Sequence, residues 1–189
     1  MIRTCTDFED ALMGDILERV VADLTLVADR EIALSERETR WVTRRPAGVM
    51  DVHLSFRMML TVGEQGLPGT LLLPRAEAIA LASYLVMLHE EAVKDLRGQQ
   101  EIDTTIKDAL LELGNFVAGA TDQAFKTANI DNVSARTAGC QGVKPGIRPK
   151  LRYNEGDPLL VSWAKMQVHT YPEFEAILIL PNVIEALTS

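Results

Sequence analysis

Histidine is scarce in this chain of 189 residues. His53, His89 and His169 lie far apart in the sequence and form no cluster. That argues against a clustered metal site and against a Ser-His or Cys-His nucleophilic arrangement. Cysteine is scarcer still. Cys5 and Cys140 lack metal-type spacing, and a reduced, cytoplasmic chain is the natural reading, although two cysteines alone leave a bridge open. Positive charge is also in deficit: 19 Lys and Arg against 27 Asp and Glu give a net charge of −8 and a pI near 4.9. A nucleic-acid or anionic-membrane partner needs a basic face, so both are disfavoured. No long hydrophobic run occurs. The most apolar stretch, AIALASYLVML at 78–88, is too short to span a bilayer and reads as a buried helix. The N-terminal MIRTCTDFED turns acidic at once, without the apolar core of a signal peptide. What remains is a composition of 47% hydrophobic and 24% charged residues, ordinary for a globular chain, at a length that suits one domain over 1–189.

Periodicity organises the chain. Phe8, Leu12, Ile16 and Val20 recur at helical spacing, and Thr6-x-x-Glu9 is a capping box, so a first helix is expected over 8–27. The charged stretch DREIALSERETRWVTRRP has no assignable pattern. From 50 to 60 the alternation is strict, with Met50, Val52, Leu54, Phe56, Met58 and Leu60 on one face and Asp51, His53, Ser55 and Arg57 on the other. This period of two predicts a half-buried strand and puts His53 on the solvent side. GEQGLPG at 63–69 supplies a turn, and TLLLP returns as a second strand. A second helix is expected over 75–91, a polar linker KDLRGQQ after it, and a third helix over 103–127. Beyond it come a strand over 130–138, a glycine- and proline-rich loop over 139–158, a strand hairpin over 159–169 and 173–180, and a short helical turn in the tail NVIEALTS. The order predicts an α+β fold with helices packed on an antiparallel sheet.

The third helix carries the candidate site. On a helical wheel Asp108, Glu112, Asn115, Gly119 and Asp122 form one narrow stripe. Ile106, Ala109, Leu113, Val117, Ala120 and Ala124 fall opposite and face the core. Two readings of the stripe stand side by side. In the first it is solvated decoration: Asp108 completes a capping box with Thr105, Glu112 is an exposed helix former, and Asp122 a solvated charge. In the second it is a docking ridge. Asn115 costs a few tenths of a kcal/mol inside a helix, and Gly119 up to about 1 kcal/mol, with a similar penalty at Gly114. Glycine on a polar stripe lets another backbone approach.

ELGNFVAG at 112–119, with Asp108 one turn earlier, resembles the Glu-x-x-Asn signature of the CheC/CheX/FliY chemotaxis phosphatases. The likeness to the CheX branch extends over most of the chain. FEDALMGDILERVVADL resembles that branch's N-terminal helix, and LTVGEQGLPGTLLLPRAEAIALASYLV its hairpin and following helix. The resemblance implies a CheC/CheX-like α+β fold and a hydrolase that dephosphorylates the phospho-aspartate of a CheY-like receiver in two-component signalling. It implies that Asn115 orients the attacking water and that Glu112 contacts the receiver's active-site lysine. Asp108 falls where relatives carry Ser or Asp. No cofactor of the chain's own is implied, because aspartyl phosphate and Mg2+ both belong to the receiver. The first helix has no second Glu-x-x-Asn, since Glu18 is followed at that spacing by Val21; a single motif fits CheX, and with it a homodimer.

The sequence departs from the family where relatives place a proline after the third helix: NVSARTAG has none. The regions 31–45 and 139–158 are longer than in the relatives and could reshape a partner or oligomer surface. Two other readings follow. One is a non-catalytic receiver-binding or flagellar-switch module of the same fold. The other is an unrelated dimeric interaction domain with an accidental motif, which a core-facing Asn115 would favour.

Overall fold

Helix α1 (Asp7–Ala28) begins on the capping box that the sequence announces. Thr6 Oγ1 accepts from the Glu9 amide at 3.2 Å, and Glu9 Oε2 accepts from the Thr6 amide at 2.9 Å. The same carboxylate is buried, where it also accepts from Trp41 Nε1 at 3.0 Å and pairs with the Arg3 guanidinium. A cap of the helix thereby becomes a tie to the sheet.

The chain then runs through β1 (Ile32–Val42), β2 (His53–Val62), β3 (Gln65–Pro74), α2 (Arg75–Leu85), α3 (Glu90–Gly98), α4 (Thr104–Thr127), β4 (Val133–Val143), β5 (Leu159–Val168) and β6 (Phe174–Pro181). The computed structural model describes residues 3–154 and 156–183; the helical turn expected in the tail lies largely outside the described residues. The six strands make one sheet in the order β1-β5-β6-β3-β2-β4, and every neighbouring pair is antiparallel. With α1, α2 and α4 packed on one face, the α+β expectation holds.

Alternation explains the main core. Leu54, Phe56, Met58 and Leu60 of β2, Leu71 and Leu73 of β3, and Leu178 and Leu180 of β6 point to the helices and join Met13, Ile16, Leu17, Leu113, Val117 and Phe125. Met50 and Val52, placed by the alternation on the same face, precede the strand and are exposed.

Four expectations need correction, and one stretch left open gains an element. The turn expected over 63–69 narrows to Gly63 and Glu64, because β3 begins at Gln65 and pairs with β2 from there. The unassigned charged stretch is β1, an edge strand. Its core-facing Arg37 and Thr39 are polar, because Arg37 is held by the Asp10 carboxylate and backbone oxygen of α1 and by Thr39 Oγ1, so no apolar alternation shows. Charged edges of this kind also resist pairing with other chains. The helix expected over 75–91 stops at Leu85: Met87 adopts φ 60°, and His89 Nδ1 accepts from the Ala92 amide at 3.2 Å to cap α3, which takes in most of the expected linker. The strand expected over 130–138 runs to Val143, since Gly139 (φ 93°) sits in a β-bulge against β2 and does not open a loop.

The fourth concerns His53, which is buried and not on a solvent side; Asp51 O lies 2.9 Å from its Nδ1. Ser55 and Thr70 beside it are fully buried, their hydroxyls 2.8 Å apart. The face of the sheet away from the helices is covered too. Leu72, Val161, Ile177 and Ile179 form a second apolar cluster there, with Tyr153 and Trp163 packed against it. The cover is a strap, residues 144–154 and 156–158, whose Tyr153 hydroxyl donates to Pro68 O. Arg45 donates to Pro149 O at 2.8 Å and Leu151 O at 2.9 Å, and the Gly146 amide bonds Gly48 O, fixing strap to the β1–β2 connection. Gly48 lies so close that a Cβ there would come within 2.3 Å of the His53 ring.

Glu9→Ala removes the cap partner and leaves the buried Trp41 N–H unpaired. It should destabilise the fold by about 2–3 kcal/mol in chemical denaturation, where Asp7→Ala, on an exposed first-turn position, should cost under about 0.5 kcal/mol.

Candidate functional site

Asp103 caps α4, its carboxylate accepting from the Ile106 amide at 2.9 Å. Thr105 and Asp108 therefore do not form the capping box that the decorative reading required, and Asp108 is free of that duty. The apolar side lies as the wheel predicts: Ile106, Ala109, Leu113, Val117, Ala120 and Ala124 are all buried. Opposite them Asp108, Glu112, Asn115 and Gly119 are exposed, and Leu111, 49% exposed, flanks the row.

The two motif residues engage each other. Asn115 Nδ2 donates to Glu112 Oε2 at 2.7 Å, the reach expected one turn apart on a helix. The bond uses one of the two N–H groups of Asn115, and its carbonyl oxygen and second N–H are left for an incoming molecule. Asn115 faces solvent, so the accidental-motif reading loses the core-facing geometry that would have favoured it.

The structure separates the two glycines that the sequence placed together. Gly114 is buried, and a Cβ there would meet Thr137 Oγ1 at 3.0 Å with Phe56 behind it; α4 needs this glycine to lie close to β4 and β2. Gly119 is exposed, and a Cβ there would meet nothing within 4 Å. No packing of the fold accounts for Gly119, and it leaves the ridge flat next to Asn115.

Asp122, at the end of the stripe, is only partly exposed and already employed. Its carboxylate accepts from the Ala135 amide of β4 at 3.0 Å and pairs with Lys126 at 2.7 Å. Burial alone would raise this carboxyl, but the Lys126 and Ala135 bonds outweigh it and hold it below the usual aspartate range. Asp122 thus fastens α4 to the sheet from the ridge's edge. That signal was absent from the sequence, since a carboxylate 13 residues before a backbone amide leaves no local pattern. Asp108, in contrast, has no ion-pair or hydrogen-bond partner among the described residues. Both cysteines are free thiols, and burial pushes Cys140 up to about 11. Among the described residues no three His, Cys, Asp or Glu side chains are grouped to hold a metal ion, and no helix is long and apolar enough to cross a membrane.

No protein-family model and no curated protein sequence matches the chain. Solved structures do. FliY of Thermotoga maritima is 12% identical over 98% of this chain and 96% of its own, with a TM-score of 0.68. The chemotaxis protein CheX of Desulfovibrio desulfuricans is 15% identical over 90% and 99%, with a TM-score of 0.57. The FliM middle domain of Helicobacter pylori is 8% identical over 94% and 92%, with a TM-score of 0.63. The chain has the CheC/CheX/FliY fold, which the FliM middle domain also resembles.

Two measurements test this site. Gly119→Ala should raise stability by about 0.5–1 kcal/mol, as an open helical position gains propensity, while Gly114→Val should lower it by about 1–3 kcal/mol by forcing α4 off β4. For Asp122, a depressed folded pKa means a stabilisation present at neutral pH and lost as the carboxylate protonates. Asp122→Ala should therefore cost about 1–3 kcal/mol at pH 7, and the gap to the native protein should narrow as pH falls below about 4.

Proposed function

We propose that this chain is a phosphatase acting on the aspartyl phosphate of a CheY-like receiver domain, with α4 as the element that docks. One observation carries the reading: Glu112 and Asn115 are hydrogen-bonded to each other on an exposed, flat ridge, at the spacing of the Glu-x-x-Asn signature, in a chain of the CheC/CheX/FliY fold.

The chemistry suits these side chains. An acyl phosphate is already activated, so hydrolysis requires a well-placed water more than a nucleophile of the enzyme's own. With one N–H donated to Glu112, Asn115 offers its carbonyl oxygen to a water proton, which turns the water's lone pair toward phosphorus. The water oxygen bonds phosphorus, the phosphorus–acyl oxygen bond breaks, and the receiver regains an aspartate carboxylate. The water's protons leave with the phosphate and the surrounding solvent. A neutral amide does this without adding negative charge beside the phosphoryl group, which a carboxylate at the same place would do. Glu112 retains an oxygen for a partner cation, the receiver's lysine, and so ties grip to positioning through one hydrogen bond. The receiver brings both the aspartyl phosphate and its magnesium ion. Asp108, one turn toward the N-terminus and unpartnered, extends the acidic row that meets the receiver, and Gly119 leaves room for its backbone.

A second reading, a non-catalytic binding module, is favoured by the FliM likeness, since solved structures hold FliM of Helicobacter pylori in complexes with FliG and with SpeE. The two readings part on one assay. Phosphate release from a phosphorylated receiver should accelerate with the native protein. Asn115→Ala should lower kcat roughly 10²-fold with KM little changed, because it removes a positioning contact, while Glu112→Ala should raise KM as well. Receiver binding without faster release would establish the second reading. Equal decay with the native protein and with the Asn115→Ala, Glu112→Ala double variant would sink the first.

A further inference from the structure

A net charge of −8 conceals a basic pole. The segment 39–50 carries Arg40, Arg44 and Arg45, and the segment 136–152 carries Arg136, Lys144, Arg148, Lys150 and Arg152; neither contains an Asp or Glu. The fold brings the two segments together, because the strap crosses the face of the sheet remote from α4 and is bonded to the β1–β2 connection by Arg45 and Gly146. Among the described residues Arg44, Lys144, Arg148, Lys150 and Arg152 make no ion pair.

Between the strap and the β2–β3 hairpin lies a cavity of ≈ 300 Å³. Met59, Pro68 and Leu151 supply apolar walls, and Arg57, Lys150 and Arg152 supply three cations with no carboxylate among the lining residues. Arg57 is the unusual member. It rises from β2 beside the Gly139 bulge, where a Cβ would come within 3.3 Å of its Nη2, so the glycine makes room for the guanidinium. Its Nε is buried without a hydrogen-bond partner among the described residues, and the side chain lines the cavity. The neighbouring cavity on the other flank of Tyr153 differs: it is smaller, ≈ 180 Å³, and includes Asp157 beside Arg44, Arg45 and Arg148.

We propose that the cavity bounded by Arg57, Met59, Pro68, Lys150, Leu151 and Arg152 is a binding site for a mononucleotide-class ligand, a phosphate ester carrying a flat aromatic ring. The phosphate meets Arg57, Lys150 and Arg152, which match its charge and its multiple acceptor oxygens. The ring lies against the Met59 thioether and the Pro68 ring, apolar surface that an inorganic anion would leave unused. The volume lies at the lower end of small-molecule sites and admits one nucleotide, not a duplex. The site stands on the opposite face of the sheet from Asn115, so the two can be occupied together.

Calorimetric titration of the full chain decides this, with AMP, adenosine, inorganic phosphate and a short oligothymidylate as separate probes. AMP should bind saturably with Kd near or below about 0.1 mM, and adenosine and phosphate at least about tenfold more weakly. Lys150→Ala with Arg152→Ala, both exposed positions whose loss spares the core, should weaken AMP at least about tenfold, and Arg57→Gln should do the same. Asn115→Ala should leave AMP binding unchanged. The proposal fails if AMP does not saturate by about 5 mM, if phosphate matches AMP, or if the double variant binds AMP as the native chain does. It fails equally if the oligonucleotide binds more tightly than AMP, which would make this face a single-strand surface.

Discussion

The seating of α4 on β4 and β2 is the constraint from which the candidate site follows. Gly114 lets the helix axis come close to the sheet, with Thr137 and Phe56 directly beneath it. Val117, Ala120 and Ala124 fill the contact below the next turns. Asp122 then pins the far end by accepting the Ala135 amide, an edge-strand N–H that would otherwise face water. Together these contacts fix the helix's rotation about its own axis. Rotation decides which side chains the ridge presents, because a turn of one residue would send Asn115 toward the core. With the helix held, Glu112 and Asn115 stand outward as a bonded pair, and neither has to be ordered when a partner arrives.

A second consequence concerns how charge is laid out. The helical side presents Asp108 and Glu112 around a flat row, and α1 adds acids of its own. The opposite face of the sheet is crossed by the segments that hold Arg44, Arg45, Lys144, Arg148, Lys150 and Arg152. Such a separation gives the molecule an electrostatic direction, so that partners of opposite sign approach opposite faces. It also explains why the strap is long. A short β4–β5 connection would leave Leu72, Val161, Ile177 and Ile179 exposed on the second face of the sheet.

Much was legible before folding. The capping box at Thr6 and Glu9, the alternation through 54–60, the hairpin of β5 and β6, and the two-faced third helix all rest on interactions within a few residues, and the structure keeps each of them. The candidate ridge was legible for the same reason, since a helical stripe depends only on spacing. Other elements left no local trace. Strand β1 was hidden because Arg37 takes a core-facing place that an apolar residue would ordinarily hold, and it can do so only with Asp10 of α1 beside it. His53 was misplaced because alternation reports that a strand has two faces without saying that both are covered.

The sequence by itself therefore determined the elements whose stability is local: the caps, the periods of two and 3.6, and the Glu-x-x-Asn spacing that put a carboxylate and an amide on one helical face. Only the tertiary structure decided what each face meets. It turned Glu9 from a cap into a tie to Trp41, gave Gly114 to packing and left Gly119 to the open ridge, and drew Asp122 from the docking row into a clamp on β4. It also gathered cations from segments nearly a hundred residues apart around one cavity. The physical reason is common to all of these: each depends on a contact between chain segments remote in sequence, and no period or propensity records which segments will meet.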